Sequence, residues 1–488
     1  MPQAPMSPTD YSWLRMDRPT NLMHIRCGLW YAGDIAVGDL KSVLLERMVN
    51  RYAVFKQRAV PVGGGWSWED AEDFDIDRHV REVAPPGAGD KDAMLAYLAA
   101  LFPEQFNFDI PLWDVEVFRG VTGFVDEPCT FVIQRFHHAI MDGIRYVQLL
   151  VHLHDFAGES ADALPAPVGR QASGGMITAG LQGLRRGVTD AVDVARHALW
   201  STAHLPQTAA AHLRHGEFAS DLAVLVHPSR LIDAVERLGS VDNETLNTAS
   251  ELARFAVSGH EPHTAWSGPP SIRKRVSLVD DMELARIKQF GKRHGGTVND
   301  VLLAMISRAL THYLAEQGAE SVDEIHWMVP VSLAPPDRDL PAELGNNFAL
   351  IYLPMPLGIT DEEELIAAVK ERMSRLKHSQ ESTVAFEIQK VIARAPRPLS
   401  VGLSNLFASK TVGVLTNVPG PTEPMYLAGA EALGWFGFVP TSGDEPLGLC
   451  IFSNNGKVLV GVSTDAARIP HPERIAELIK QEYAALVD

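Results

Sequence analysis

The chain reads as an α/β protein with mixed sheets, built as two blocks joined by a helical crossover segment. Three observations predict this class. Strand-like runs and amphipathic helical runs interleave in two stretches, residues 1–170 and 271–488. Between them, residues 165–174 are rich in Pro, Ala, Gly and Ser, and a long helical period follows. Finally, 488 residues are too many for one hydrophobic core, so two domains of ordinary size are expected.

In the first block, residues 24–31 read as a strand. Residues 37–52 read as a helix with Leu40, Val43, Leu44 and Met48 on one face. Residues 55–60 form a strand, and Trp66-Ser67-Trp68 opens an acidic stretch ending at Asp77. Residues 90–101 make a second helix. Residues 113–118 and 130–136 alternate enough to be half-buried strands. In the connecting segment, 171–270, apolar residues recur at three- and four-residue steps from Leu181 through Leu184, Val188, Val192 and Ala195 to Leu199. This spacing predicts a long amphipathic helix. Shorter helices are expected at 206–215 and 228–238, then a loop at 259–270. The second block opens with a strand at 276–279. Helices follow at 281–291 and 297–317, strands at 325–331 and 348–355, and a helix at 362–380. Strands at 412–416, 447–453 and 457–463 precede a closing helix at 470–487. No repeat is visible in the sequence, although two α/β blocks point to similar halves.

Composition narrows the function. A hydrophobic share of 46% and a charged share of 21% fit a folded globular protein. The net charge of −18 argues against a nucleic-acid partner, because no broad basic surface is available to neutralise phosphates. The compact basic clusters, Arg185-Arg186 and Arg273-Lys274-Arg275, read as solvated faces. Cys27, Cys129 and Cys450 are too few and too far apart for a disulfide framework or metal pattern, and they fit a reducing cytosol. The polar, Pro-rich N-terminus lacks a signal segment, and no apolar run approaches the roughly 20 residues that span a bilayer. A cytoplasmic location is expected. Any work on lipid is then done at the inner membrane or lipid inclusions, or by admitting lipid into a pocket.

The chemistry concentrates in Phe136-His137-His138-Ala139-Ile140-Met141-Asp142-Gly143. A β-rich run ends here, and apolar residues at helical spacing (Ile144, Val147, Val151) begin. Two histidines in a tight strand-to-helix connection can place a base at the edge of a cavity. Histidine is the side chain whose ordinary pKa suits general-base work near neutral pH. Asp142 can orient the loop or pair with a basic group beneath the site.

The pattern H-H-x-x-x-D-G resembles the active-site motif of the CoA-dependent acyltransferases with the chloramphenicol acetyltransferase-like fold, which include the condensation domains of peptide synthetases. Further segments resemble one branch, the bacterial wax ester synthase/diacylglycerol acyltransferases. These are Pro111-Leu112-Trp113 with Gly120, Val298 to Ala304 around Asn299-Asp300, Leu344-Gly345-Asn346-Asn347, and Asn417-Val418-Pro419-Gly420-Pro421 followed by Met425 to Ala430. The opening Ser7-Pro8-Thr9-Asp10 and Met23-His24 belong to the same likeness, which runs from about Ser7 to near the C-terminus. The resemblance implies two chloramphenicol acetyltransferase-like domains with a tunnel between them. One departure is visible: Asp109-Ile110 precede Pro111 where a basic residue is common in the family.

The resemblance makes His138 the general base. It would take the proton of an alcohol hydroxyl attacking an acyl-CoA thioester, then protonate the departing thiolate. His137 either positions the loop or hydrogen-bonds substrate. Asp142 is expected to turn from the substrate and hold a basic side chain, with Arg135 one candidate by proximity. Gly143 lets substrate approach closely. Asn299 reads either as an oxyanion donor or, with Thr297 and Asp300, as a helix cap. Asp300, Asn346, Asn347, Asn417, Pro419 and Gly420 are expected to shape the substrate entrance, whereas Pro111, Leu112, Trp113 and Gly120 read as packing. His24, His152, His154, His260 and His263 do not assemble a ligand set, so neither zinc nor iron is expected.

The expected activity is long-chain acyl-CoA O-acyltransfer to a fatty alcohol or a diacylglycerol. No cofactor is implied, because acyl-CoA is a substrate. Two alternatives remain open: a condensation-type enzyme using carrier-bound acyl groups, and a non-catalytic protein binding lipid or lipid droplets.

Overall fold

The computed structural model describes residues 3–63, 65–156, 264–319, 321–333, 340–378, 381–394, 397–441 and 445–487. The linker at 165–174, the helices expected at 181–199, 206–215 and 228–238, the Arg185-Arg186 pair, His260 and His263 lie outside the described residues.

The first half runs β1 (Gln3–Pro5), α1 (Pro8–Met16), β2 (His24–Ala32), α2 (Val37–Leu44), β3 (Gln57–Val62), β4 (Gly65–Asp70), β5 (Val80–Glu82), α3 (Lys91–Ala100), β6 (Trp113–Val121), β7 (Cys129–His137), α4 (Gly143–Leu153) and β8 (Asp155–Phe156). The second half runs β9 (Lys274–Glu283), α5 (Leu284–Arg293), α6 (Val298–Glu316), β10 (Glu324–Ser332), β11 (Phe348–Pro356), α7 (Glu362–His378), α8 (Glu381–Arg394), α9 (Arg397–Ala408) and β12 (Gly413–Pro419). It ends with β13 (Met425–Leu427), β14 (Ala430–Phe438), β15 (Leu447–Asn454), β16 (Lys457–Asp465) and α10 (Pro472–Val487).

Two mixed sheets organise these elements. A seven-stranded sheet has the order β5-β6-β7-β2-β14-β13-β8, and a six-stranded sheet has the order β11-β10-β12-β15-β16-β9. A small third sheet, β1-β4-β3, is antiparallel. The expected α/β class with mixed sheets is therefore the observed one. The chain also crosses between the halves: β13 and β14, far along the second half, complete the first sheet, with β14 pairing β2.

That strand had no sequence signature because glycines interrupt it. A Cβ on Gly434 would stand 2.1 Å from the Trp30 ring, so the close approach of β14 to β2 requires glycine there. Other departures have local causes. The helix expected from 281 starts at Leu284, because β9 continues to Glu283 through a register irregularity, with Asp281 at φ 62°. The helix expected over 37–52 is α-helical only to Leu44 and then passes into a π turn at Leu45–Val49. The acidic run after Gly65 begins as β4, and 417–419 extend β12 instead of forming a loop. Helices α8 and α9 have no counterpart in the sequence reading.

Local rules place the helices that frame the site. Ser7 caps α1 by accepting from the Asp10 N–H, and Pro8 fits the first turn, where no amide donor is needed. Asp142 caps α4, and Thr297 with Asp300 forms a capping box on α6. Among the described residues, no helix is long and apolar enough to cross a membrane.

Candidate active site

Strand β7 is buried along its whole length and delivers His137 and His138 to the junction of the two halves. There the second half supplies residues 344–347. Met141 and Gly345 form a parallel bridge, and the Gly345 N–H donates to the Ile140 carbonyl at 2.9 Å. Gly345 has φ 62°, the left-handed region that glycine adopts without strain. The turn sets Asn346 beside the histidine motif.

His138 is 8% exposed and lies against the Trp13 indole, with ring centroids 4.2 Å apart and 23° between planes. Its Nδ1 lies 2.9 Å from Asn346 Oδ1. The neighbours of the Asn346 amide determine which way it points. Its Nδ2 donates to Asp10 Oδ1 at 2.9 Å and to the His138 carbonyl at 2.8 Å, both of which can only accept. Oδ1 therefore faces the imidazole, so Nδ1 carries the proton and Nε2 keeps its lone pair. Burial pushes the His138 imidazole down to about 4, outweighing the Asn346 hydrogen bond that raises it, and His137 lowers it further. The ring is neutral at pH 7, as a general base must be.

The other motif residues hold the loop. His137 is fully buried; its Nδ1 accepts from the Ala139 N–H at 3.0 Å and its Nε2 meets Asp17 Oδ2 at 3.0 Å. Both ring nitrogens are thus engaged on the face of the sheet away from His138, which fits the loop-positioning alternative. Asp142 accepts from the Arg145 N–H and from the Asn347 N–H, each at 2.9 Å, and burial pushes its carboxyl up. Arg135 does not hold Asp142. Its Nε donates to Asp114 Oδ1 at 2.8 Å, because Asp114 and Arg135 stand opposite each other on β6 and β7. Strand alternation points Arg135 to the far face of the sheet, so proximity in sequence misidentified its partner.

His24, by contrast, joins a group that sequence spacing did not show. Asp17, His24 and His137 bring their ligand atoms within 4.8 Å of one another. The His137–Asp17 hydrogen bond and Arg26, whose Nη2 lies 3.2 Å from His24 Nδ1, account for this cluster as a buried polar network. The guanidinium also opposes a second cation there.

His138, Asp142 and Gly143 line a cavity of about 100 Å³ between the two sheets. Its walls come from both halves, including Ile25 and Cys27 on β2, Ser332 on β10, Leu350 on β11, and Thr416 and Asn417 on β12. A Cβ on Gly143 would meet nothing within 4 Å, so open space adjoins that backbone. Asn417 reaches the cavity wall, and its Nδ2 donates to Asn299 Oδ1 at 2.9 Å. Asn299 is not the helix cap. That role belongs to Thr297, which accepts from the Asp300 N–H, while Asp300 Oδ2 accepts from the Thr297 N–H and hydroxyl at 2.8 Å each. Asp300 is thereby committed to the cap and is not among the cavity-lining residues. Pro419 and Gly420 also lie off the cavity wall, at the end of β12 beside Ser453. Asn347 contributes its backbone amide to Asp142.

A second cavity, of about 110 Å³, shares Trp13, Phe348 and Leu350 with the first. Its remaining wall includes Asn346, Ala385 and Ile392 on α8, and Phe407 on α9. The sequence reading missed both Trp13 and Asp10 as site residues. The only signal was the Ser7-Pro8-Thr9-Asp10 likeness, which carried no role.

Comparison with known proteins agrees with this arrangement. Residues 6–302 match the wax ester synthase/diacylglycerol acyltransferase catalytic domain, and residues 344–487 match the WS/DGAT C-terminal domain. The probable diacylglycerol O-acyltransferase tgs2 of Mycobacterium tuberculosis is 24% identical over 96% of this chain and 96% of its own. The probable diacylglycerol O-acyltransferase tgs1 of the same organism is 24% identical over 87% of this chain and 82% of its own. Among solved structures, the wax ester synthase/diacylglycerol acyltransferase of Marinobacter aquaeolei superposes with a TM-score of 0.65 at 19% identity, covering 99% of this chain and 98% of that one. The first condensation domain of the calcium-dependent antibiotic synthetase shares the fold at a TM-score of 0.58 and 12% identity, over 100% and 96% of the two chains. The chain therefore belongs to the wax ester synthase/diacylglycerol acyltransferase family, and its activity is of the acyltransferase class.

Proposed function

We propose that the protein transfers a long acyl group from coenzyme A to the hydroxyl of a fatty alcohol or a diacylglycerol, with His138 as the general base. The observation that carries this reading is the anchored imidazole: Nδ1–H is held on Asn346, which leaves Nε2 as the acceptor on a ring that lines an apolar cavity. The acceptor hydroxyl gives its proton to Nε2 as its oxygen attacks the thioester carbonyl carbon. The tetrahedral intermediate collapses with cleavage of the C–S bond, and the imidazolium returns the proton to the thiolate. The imidazolium is costly in so buried a site, so it gains most when the oxyanion develops beside it. Asn417 is the cavity-lining amide suited to donate to that oxyanion, with Asn299 orienting it.

Two adjoining cavities lined mostly by apolar side chains support long hydrocarbon chains as the substrate class. Ala385 borders only the second cavity. Ala385→Phe is expected to lower kcat/KM for sixteen-carbon substrates by roughly 10-fold relative to eight-carbon ones, by shortening that cavity. Parallel chain-length series on donor and acceptor would show which chain it holds. The test of the function is thiol release from palmitoyl-CoA by the purified protein with hexadecanol or dioleoylglycerol. Acceptor-dependent release is expected, and its absence with both acceptors overturns the reading.

A further inference from the structure

We propose that Asp10 is a positioning residue for His138, acting through Asn346; the proposal rests on the acyl-transfer reading above. The structure places three residues from distant parts of the chain in one hydrogen-bonded series. Asp10 Oδ1 accepts from the Asn346 backbone N–H at 2.8 Å and from its Nδ2 at 2.9 Å. Asn346 Oδ1 accepts from His138 Nδ1 at 2.9 Å. Asp10 is itself held in place, because the Ser7 hydroxyl donates to its Oδ2 at 2.6 Å while Ser7 caps the helix that carries it. This gives the opening Ser7-Pro8-Thr9-Asp10 segment a purpose: its cap fixes a carboxylate against the loop of the second half.

The carboxylate does two things. Together with the His138 carbonyl, which also accepts from Nδ2 at 2.8 Å, it fixes the orientation of the Asn346 amide, because a carboxylate can only accept and so draws the NH2 side toward itself. An inverted amide would offer N–H to His138 Nδ1 and force the proton onto Nε2, abolishing the base. It also polarises the amide, since accepting from the NH2 raises the negative charge on Oδ1 and strengthens its bond to Nδ1–H. Outer residues of this kind typically change activity by about 10–100-fold. Asn346 and His138 are both buried, so water cannot readily replace the missing anchor.

The experiment uses the full chain as Asp10→Ala and as the nearly isosteric Asp10→Asn. Nitrogen-15 NMR of labelled histidine, with the His138 resonances assigned by their loss in His138→Ala, reads the tautomer directly. The wild type is expected to show the Nδ1–H form, and both variants a mixture with the Nε2–H form, smaller in Asp10→Asn. In parallel, kcat should fall about 10–100-fold in Asp10→Ala with KM for both substrates unchanged, and less in Asp10→Asn. If Asp10→Ala does not fold, Asp10→Asn carries the same two readouts. A wild-type tautomer in the folded variants overturns the proposal, whether kcat is unchanged or falls, since a fall without it reports structural damage alone. A tautomer shift in a protein whose wild type shows no thiol release supports the positioning role and counts only against acyl transfer.

Discussion

His138→Ala is expected to lower acceptor-dependent thiol release by roughly 10²–10⁴-fold, the usual contribution of a positioned general base. The fold should survive, because the side chain that is removed borders a cavity and its loop is held by other bonds. The His138 N–H still donates to the Met23 carbonyl at 2.8 Å, and the Asn346 Nδ2 still donates to the His138 carbonyl. Circular dichroism and the denaturant midpoint would verify this. The wild-type pH profile carries the complementary signature. The base works only when neutral, so activity falls as pH drops through the pKa of His138. Because burial lowers that pKa from 6.5 to about 4, the acid limb of kcat/KM should lie near pH 4, with no break near 6.5. A limb at 6.5 would mean that the working base is a more solvated group than this imidazole.

Asp142→Ala should instead damage stability. The carboxylate caps α4 and also binds the Asn347 amide of the other half, at 2.9 Å in each case. Losing the cap on the Arg145 N–H costs about 1 kcal/mol, and leaving the part-buried Asn347 N–H without a partner costs about 1–3 kcal/mol. A loss of roughly 2–4 kcal/mol is expected, read as a fall in the urea midpoint at unchanged slope. Asp142→Asn keeps one acceptor for the cap and turns an NH2 toward Asn347, so its loss should be smaller but real. Since Asn347 adjoins Asn346, the alanine variant should also reduce kcat. Equal stability of wild type and Asp142→Ala would show that water satisfies both amides.

Much of this site was legible locally. The strand, the histidine pair, the Asp-Gly step and the following helix were readable because each rests on neighbouring residues. Asp142 sits where an N-cap belongs, three residues before the amide it binds, and Thr297 caps α6 by the same rule. The Leu344 to Asn347 and Asn417 segments were recognised as site elements by resemblance, but their partners were not. Arg135 shows why. Its neighbour in sequence is the histidine loop, yet its side chain follows the strand's alternation to Asp114 on the far face.

The resemblance of its histidine motif nominated His138 as the base, while the sequence by itself determined the α/β class and most strands and helices. These follow from periodicity and capping, which depend on backbone geometry over a few residues. The tertiary structure alone decided that β14 would complete the first sheet, that α8 would wall a second cavity, and that Asp10 would reach His138 through Asn346. Those contacts join positions separated by 336 and 208 residues. They arise from the register of strands and the packing of two halves, for which no short stretch of sequence carries a signature.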